Sequence, residues 1–338
     1  VIHYLPLTVA SKARPWLETA FVAGTSGDVS FRVKGDLREF PFSITPDTEY
    51  FLPTNESQQA LNTLLLAIVA GEGFIKITGE VGTGKTLLCR ALLNLLDSER
   101  YQLAYLPNPC LSPLDLRQAL ARELRIEAVE SHDAMGLLDA LHHRLIELAA
   151  QGKSTVLLID EAQALPEDTL EALRLLTNLE TEQHKLLQVV LFGQPELDAT
   201  LARHEFRQLR QRITFAYRLR PLDVTDTGRY LQERLSVAGY RGEPLFSPAA
   251  VRLLVRGSGG IPRLLNILGN KALMATYGEG RRQVGVAQVR RALADTDGAP
   301  SLLQSVPSWL RWSLAVSALV LLVLGAWPWL APLRELWS

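Results

Sequence analysis

Gly79-Glu80-Val81-Gly82-Thr83-Gly84-Lys85-Thr86 is a complete GxxxxGK[ST] stretch, and its surroundings decide the fold. A short apolar run, Gly73-Phe74-Ile75-Lys76-Ile77-Thr78, precedes it. A helical-looking run, Leu87-Leu88-Cys89-Arg90-Ala91-Leu92-Leu93, follows. Strand, glycine turn and helix in that order are the setting in which backbone N–H groups curl around a phosphate. The glycines allow the turn without Cβ clashes, and the helix adds the positive end of its dipole at the same point. A glycine turn that merely opens a helix is the plainer reading, and the complete pattern in its proper setting outweighs it. The sequence therefore predicts an ATP site made by Gly79, Glu80, Val81, Gly82, Thr83, Gly84, Lys85, Thr86 and Leu87. Lys85 is placed to reach the β- and γ-phosphates, and the Thr86 hydroxyl to hold Mg²⁺.

A second anchor lies downstream, at Thr155-Val156-Leu157-Leu158-Ile159-Asp160-Glu161. Four consecutive apolar residues fit a strand buried on both faces. Asp160 at its carboxyl end falls where ligands bind in open α/β sheets, and is predicted to serve Mg²⁺. Glu161 is predicted to orient or deprotonate the attacking water. An acidic turn after a strand is common by itself, but its pairing with the loop at 79–86 implies hydrolysis as well as binding.

Between and around these anchors, strands and helices alternate. A helix is expected over about Asn55–Ala70, with Leu61, Leu64, Leu65 and Ile68 on one face. Apolar runs at 73–78, 101–106, 155–160, 186–192 and 213–219 are separated by helical stretches, the pattern of a parallel sheet covered on both faces. A helical segment follows over about 225–293. Ser247-Pro248 reads as an N-cap with proline at the first helical position. Gly257, Gly259 and Gly260 read as breaks before a helix from Ile261 to about Tyr277. A polar linker, Asp295-Thr296-Asp297-Gly298-Ala299-Pro300, comes next.

Composition narrows the function further. The chain has 338 residues, 47% of them hydrophobic, enough for two or three folded units with substantial cores. A formal net charge of −1 gives no bulk attraction to nucleic acid. The two cysteines, Cys89 and Cys110, have neither metal-ligand nor disulfide-framework spacing. His142-His143 reads as a helix face and not a metal site. Residues 1–35 show no periodicity or motif, and no signal-peptide pattern opens the chain.

The far end differs in kind. No charged residue occurs from Trp312 to Leu333, a length sufficient to cross a bilayer. Nine residues between Trp312 and Leu330 are Leu or Val, each favouring insertion by roughly 0.3 to 0.6 kcal/mol. Trp309 and Trp312 stand at one end of the stretch, and Trp327, Trp329 and Trp337 at the other, as an aromatic belt would place them. A single span over 309–333 is predicted. Gly325 has Trp329 four positions on, so GxxxG packing of the span has little support.

Over residues 36–294 the chain resembles an AAA+ ATPase of the secretion and pilus type, the ExeA/GspA (general secretion pathway protein A) and MshM (MSHA pilus biogenesis) group. The resemblance rests on Arg38-Glu39-Phe40-Pro41-Phe42-Ser43-Ile44-Thr45-Pro46-Asp47, on Gly73 to Thr86, and on Leu191-Phe192-Gly193-Gln194-Pro195-Glu196-Leu197. Arg207-Gln208-Leu209-Arg210-Gln211-Arg212-Ile213 and Gly259-Gly260-Ile261-Pro262-Arg263 complete it. It implies a nucleotide-binding α/β domain at 36–221, a helical lid at 222–294, a linker at 295–308, the span at 309–333 and a tail at 334–338. It also implies roles for further residues. Gln194, after the fourth strand, resembles the sensor-1 group near the γ-phosphate. Arg263, opening a lid helix, resembles the sensor-2 arginine. Arg210 and Arg212 are candidates for a finger that reaches a neighbouring subunit's ATP in a homo-oligomer. Arg203, Arg207 and Arg210 also share a helical spacing, so a solvated basic face is the rival reading.

The function expected on this ground is ATP hydrolysis at the bacterial inner membrane, ATPase domain in the cytoplasm, in support of a secretion system or MSHA-type pilus and its assembly proteins. Members of the secretion branch continue past the span into a peptidoglycan-binding region. This sequence stops shortly after Trp337, and direct cell-wall binding is not expected of it. Two alternatives differ in class. A DNA-linked transposition regulator of the TniB/TnsC type shares a similar core, but the neutral charge, the absence of a DNA-reading module and the span speak against it. A nucleotide-gated scaffold would not need the intact set Lys85, Thr86, Asp160 and Glu161.

Overall fold

The computed structural model describes residues 55–107, 109–127, 134–179 and 185–296. Helix α1 (Asn55–Val69) leads into β1 (Phe74–Gly79), and the glycine loop joins β1 to α2 (Lys85–Leu95). Then come β2 (Tyr101–Leu106), α3 (Pro113–Glu123), α4 (Ala134–Ala150) and β3 (Ser154–Ile159). A 3-10 turn (Ala162–Ala164) and α5 (Glu167–Leu176) precede β4 (Leu187–Gly193), after which come α6 (Pro195–Leu201), α7 (Arg207–Arg212) and β5 (Ile213–Leu219). Four helices end the described chain: α8 (Val224–Val237), α9 (Pro248–Ser258), α10 (Pro262–Gly278) and α11 (Val286–Ala294).

All five strands are parallel, in the order β2-β3-β4-β1-β5. β3 shows why the order is stable. Val156 and Leu158 point to one face, where Ile75, Ile77, Val190 and Phe192 meet α1 and α2. Leu157 and Ile159 point to the other, among Leu116, Leu141, Leu170 and Leu191. All four β3 side chains are fully buried, and each removes from water an apolar surface worth about 1.5–3 kcal/mol. β5, at the edge, instead alternates between half-buried and exposed positions along most of its length. Outer strands have one face or one edge to spare.

The four terminal helices have a core of their own, built by Leu231, Leu235, Leu254, Leu265, Leu268, Ala272 and Val289. Asp223 caps α8 by accepting the Asp226 N–H at 2.7 Å, and Ser247 caps α9 by accepting the Ala250 N–H at 3.2 Å. Pro248 occupies the first turn of α9, as the Ser-Pro pair predicts. Gly257 is not a break. It lies inside α9, where a Cβ would meet the Leu293 side chain at 2.2 Å, so its smallness lets α11 approach. Gly259 and Gly260 end the helix, both at positive φ (61° and 74°). Leu222 N–H donates to the Gly260 carbonyl at 2.9 Å, which ties this turn to the strand-to-helix connection.

Among the described residues no helix is long and apolar enough to cross a membrane. The predicted span at 309–333 lies outside them, as do residues 1–35 and the motif at 38–47.

Candidate nucleotide site

β4 lies between β1 and β3, so the loops leaving these three strands open side by side at the carboxyl edge of the sheet. The first is the glycine loop. Gly82 and Gly84 stand at φ 83° and 98°, and Gly84 is the N-cap of α2. Gly79 has no room for a side chain, since a Cβ there would meet Thr83 Oγ1 at 2.9 Å and Leu219 Cβ at 3.1 Å. The loop closes on itself: Thr83 donates to the Glu80 carbonyl through both its N–H (3.3 Å) and its hydroxyl (2.8 Å). Val81 is exposed at its crest, and Leu87 is half-buried in the first turn of α2.

Lys85 is 5% exposed, with its Nζ donating to the Gly79 carbonyl at 2.8 Å and the Glu80 carbonyl at 3.0 Å. Burial holds the ammonium below its ordinary pKa, against the pull of Glu161 and Asp160. Thr86 Oγ1 donates to Asp160 Oδ2 at 2.7 Å. Asp160 is 3% exposed, and its Oδ1 accepts the Glu161 N–H at 2.9 Å. Burial pushes the Asp160 carboxyl above the usual carboxylate range despite these two hydrogen bonds. The loop at 79–86 and the acid after β3, 74 residues apart in sequence, therefore meet directly. A hydroxyl and a carboxylate converging in this way are the oxygen donors that Mg²⁺ takes, so the residues present fit that ion.

Glu161 stands at φ 52°, in the left-handed region, one of two non-glycine residues so placed among those described. Such conformations cost energy and persist only where surrounding contacts enforce them. Here Glu161 Oε2 accepts from Gln194 Nε2 at 3.0 Å and from Gln163 Nε2 at 2.5 Å. Burial alone would raise its carboxyl, but these two amides and the Lys85 charge outweigh it and leave it below the ordinary value. Gln194 occupies the N-cap position of α6, yet its side chain does not cap the helix; it reaches across to Glu161. Gln163 has no role in the sequence-based reading. An amide three residues after the metal-side acid was its only sequence signal.

The arginines are placed differently. Arg263, in the first turn of α10, donates its backbone N–H to the Gly82 carbonyl at 3.2 Å, so the helical group touches the glycine loop. The contact is close: a Cβ on Gly82 would lie 2.6 Å from Arg263 Cβ. The Arg263 side chain is exposed. Arg210, also exposed, has one long hydrogen bond among the described residues, to the Ala202 carbonyl at 3.4 Å. Arg212 is half-buried and donates to Thr177 Oγ1 at 3.2 Å, at the end of α5. Arg203 pairs with Glu167 and Glu205. Cys89 is buried in α2, where burial pushes its thiol well above the usual range and leaves it inert. His142 and His143 lie on α4, half-buried and exposed respectively.

Known proteins share both the fold and much of the sequence. Residues 69–201 match the AAA domain family. General secretion pathway protein A of Aeromonas hydrophila is 40% identical over 294 residues, 87% of this chain and 53% of that protein. The chain thus spans about half the length of that relative. Among solved structures, Cdc6p of Pyrobaculum aerophilum superposes with a TM-score of 0.55 at 19% identity, covering 73% of this chain and 70% of the other. The Aeropyrum pernix ORC2 protein, in ADPNP-ADP complexes, gives 0.54 at 17% identity over 75% and 70%. These two establish likeness of fold alone. The resemblance read from the sequence is borne out by the closer relative: this chain carries an AAA domain and is similar over most of its own length to General secretion pathway protein A.

Proposed function

We propose that the chain binds MgATP and hydrolyses it, and that turnover supports assembly of a secretion apparatus or MSHA-type pilus at the bacterial inner membrane. The observation that carries the hydrolytic reading is the contact of Thr86 with Asp160 beside a Glu161 carboxylate held by two amides. Mg²⁺, when bound, neutralises charge on the phosphate oxygens. Thr86 and Asp160 would hold it. Lys85 would exchange the carbonyls of Gly79 and Glu80 for the β- and γ-phosphates. Glu161 would take the proton of the attacking water, its charge kept available at neutral pH by its lowered pKa.

Gln194, bonded to that carboxylate, would orient the same water and sense the γ-phosphate. Residues 222–294 would act as a lid over the nucleotide domain at 36–221. The Arg263 backbone contact with Gly82 supports that role, because a change in the phosphate loop is transmitted directly to α10. Of the two finger candidates, the exposure of Arg210 supports it over Arg212, which is engaged within its own subunit. The charge-free stretch from Trp312 to Leu333 supports a membrane tether. Relatedness to General secretion pathway protein A supports the secretion role.

The test is ATP turnover by the full chain across a range of protein concentrations, with Glu161→Gln as the companion variant. Turnover per subunit should rise with concentration, and Glu161→Gln should bind ATP while losing roughly a thousandfold in rate. Unchanged turnover in Glu161→Gln would remove the water-activating role, and a concentration-independent rate would remove the finger.

A further inference from the structure

The turn after β3 carries one more polar group at the site. Gln163 sits in the 3-10 turn Ala162–Ala164. Its Nε2 donates to Glu161 Oε2 at 2.5 Å, and its Oε1 accepts the backbone N–H of Gln194 at 3.0 Å. Gln194 in turn donates its own Nε2 to the same Glu161 oxygen at 3.0 Å. The three residues close a ring of hydrogen bonds across two strand ends. The pattern fixes which way the Gln163 amide faces, since a flipped amide would aim its oxygen at a carboxylate and its NH₂ at an N–H.

Two features of the surroundings show that the ring is built in. Glu161 is held at φ 52°, a conformation that needs support from its neighbours. Gly193, the last residue of β4, has no room for a side chain: a Cβ would meet Leu197 Cδ2 at 2.7 Å and lie 3.5 Å from Gln163 Oε1. The backbone of β4 can therefore come close enough to present the Gln194 N–H to this amide.

We propose that Gln163 is a positioning residue for hydrolysis, which fixes Glu161 Oε2 to the loop leaving β4 so that the water-activating carboxylate and the γ-phosphate-sensing loop move as one. The inference rests on the reading of Glu161 as the water-activating group. Both amides occupy Oε2, which leaves Oε1 for the proton of the water. A shift of Gln194 toward a phosphate would then carry Glu161 with it through Gln163, even after the direct Gln194–Glu161 bond is spent.

The experiment measures kcat and KM for ATP in the full chain, with melting temperature and binding of a non-hydrolysable analogue alongside. Gln163→Met keeps length and removes both hydrogen bonds. Gln163→Glu keeps the acceptor for the Gln194 N–H and replaces the donor with a like charge. At saturating MgATP, kcat should fall roughly tenfold in Gln163→Met and further in Gln163→Glu, with KM for ATP, analogue binding and melting temperature nearly unchanged. An unchanged kcat in both variants would overturn the proposal, as would a fall in kcat matched by weaker analogue binding or a lower melting temperature. A wild type that binds the analogue but turns over no ATP would overturn the hydrolytic reading instead.

Discussion

The two sides of the candidate site are finished to different degrees. On the side of β1 and β3, Lys85, Thr86, Asp160 and Glu161 each have hydrogen-bonding partners within the chain. On the side of the helical group and α7, Arg263 and Arg210 project exposed side chains, and Arg263 is hydrogen-bonded to the loop through its backbone N–H. The difference teaches where the chemistry is preorganised. On the proposed reading, the groups that would act on the phosphates and the water are fixed by the sheet, so no ordering cost would fall on the reaction step. The groups proposed to report on the nucleotide would be left to be recruited, by the γ-phosphate in one case and by a neighbouring subunit in the other.

The largest effect should come from the open side. Arg210→Ala is expected to lower turnover about a thousandfold with little change in melting temperature, because among the described residues its side chain has only a long bond to Ala202. Arg212→Ala should do the reverse, destabilising by about 1 kcal/mol through the lost bond to Thr177 while leaving most turnover. Turnover and thermal melts of the two variants side by side decide between them. Equal loss of rate in both would erase the distinction drawn between an engaged and an available arginine.

On the closed side, Lys85→Ala should weaken ATP binding by roughly 10- to 100-fold, the worth of its charged hydrogen bonds to phosphate. Calorimetric titration with a non-hydrolysable analogue measures this directly. A smaller loss would mean that the carbonyls of Gly79 and Glu80 keep the ammonium even when nucleotide is bound.

The smallest effect concerns the cost of that preorganisation. Burial holds Asp160 above its ordinary carboxylate value, so the folded chain binds this proton more tightly than the unfolded chain. Stability is then lost as pH rises from the unfolded value near 3.9 through the folded one, and the deficit persists at neutral pH. Asp160→Asn removes it and can still accept the Glu161 N–H. Its melting temperature at pH 7 should exceed that of the wild type by about 2–4 °C for each kcal/mol relieved, with the gap closing toward pH 4. A lower melting temperature at pH 7 would mean that the hydrogen bonds from Thr86 and Glu161 outweigh desolvation.

The inner strands β1, β3 and β4 were legible in the sequence because they are buried on both faces along most of their length and read as nearly continuous apolar runs. The runs at 101–106 and 213–219 coincide with β2 and β5, and the others are shifted by one residue at both ends. Gly257 was misread for a physical reason: a glycine that makes room for Leu293 has the same local signal as one that ends a helix. The strand order was not readable from spacing, because hydrophobic runs carry no label for their neighbours.

The sequence by itself determined the phosphate loop, since its residues are contiguous and a glycine's freedom or a lysine's reach is a local property. It also determined that an acid pair would stand at a strand end, because burial of Val156 to Ile159 fixes where β3 runs out. Only the tertiary structure decided that β4 lies between β1 and β3, which brings Gln194 to Glu161 across 33 residues and Asp160 to Thr86 across 74. It alone showed Arg210 exposed and Arg212 bonded to Thr177, and brought Gln163 to Glu161. Hydrogen bonds of 3 Å are satisfied between groups far apart in sequence, and which of them meet is settled by how the strands pack, not by any single stretch of chain.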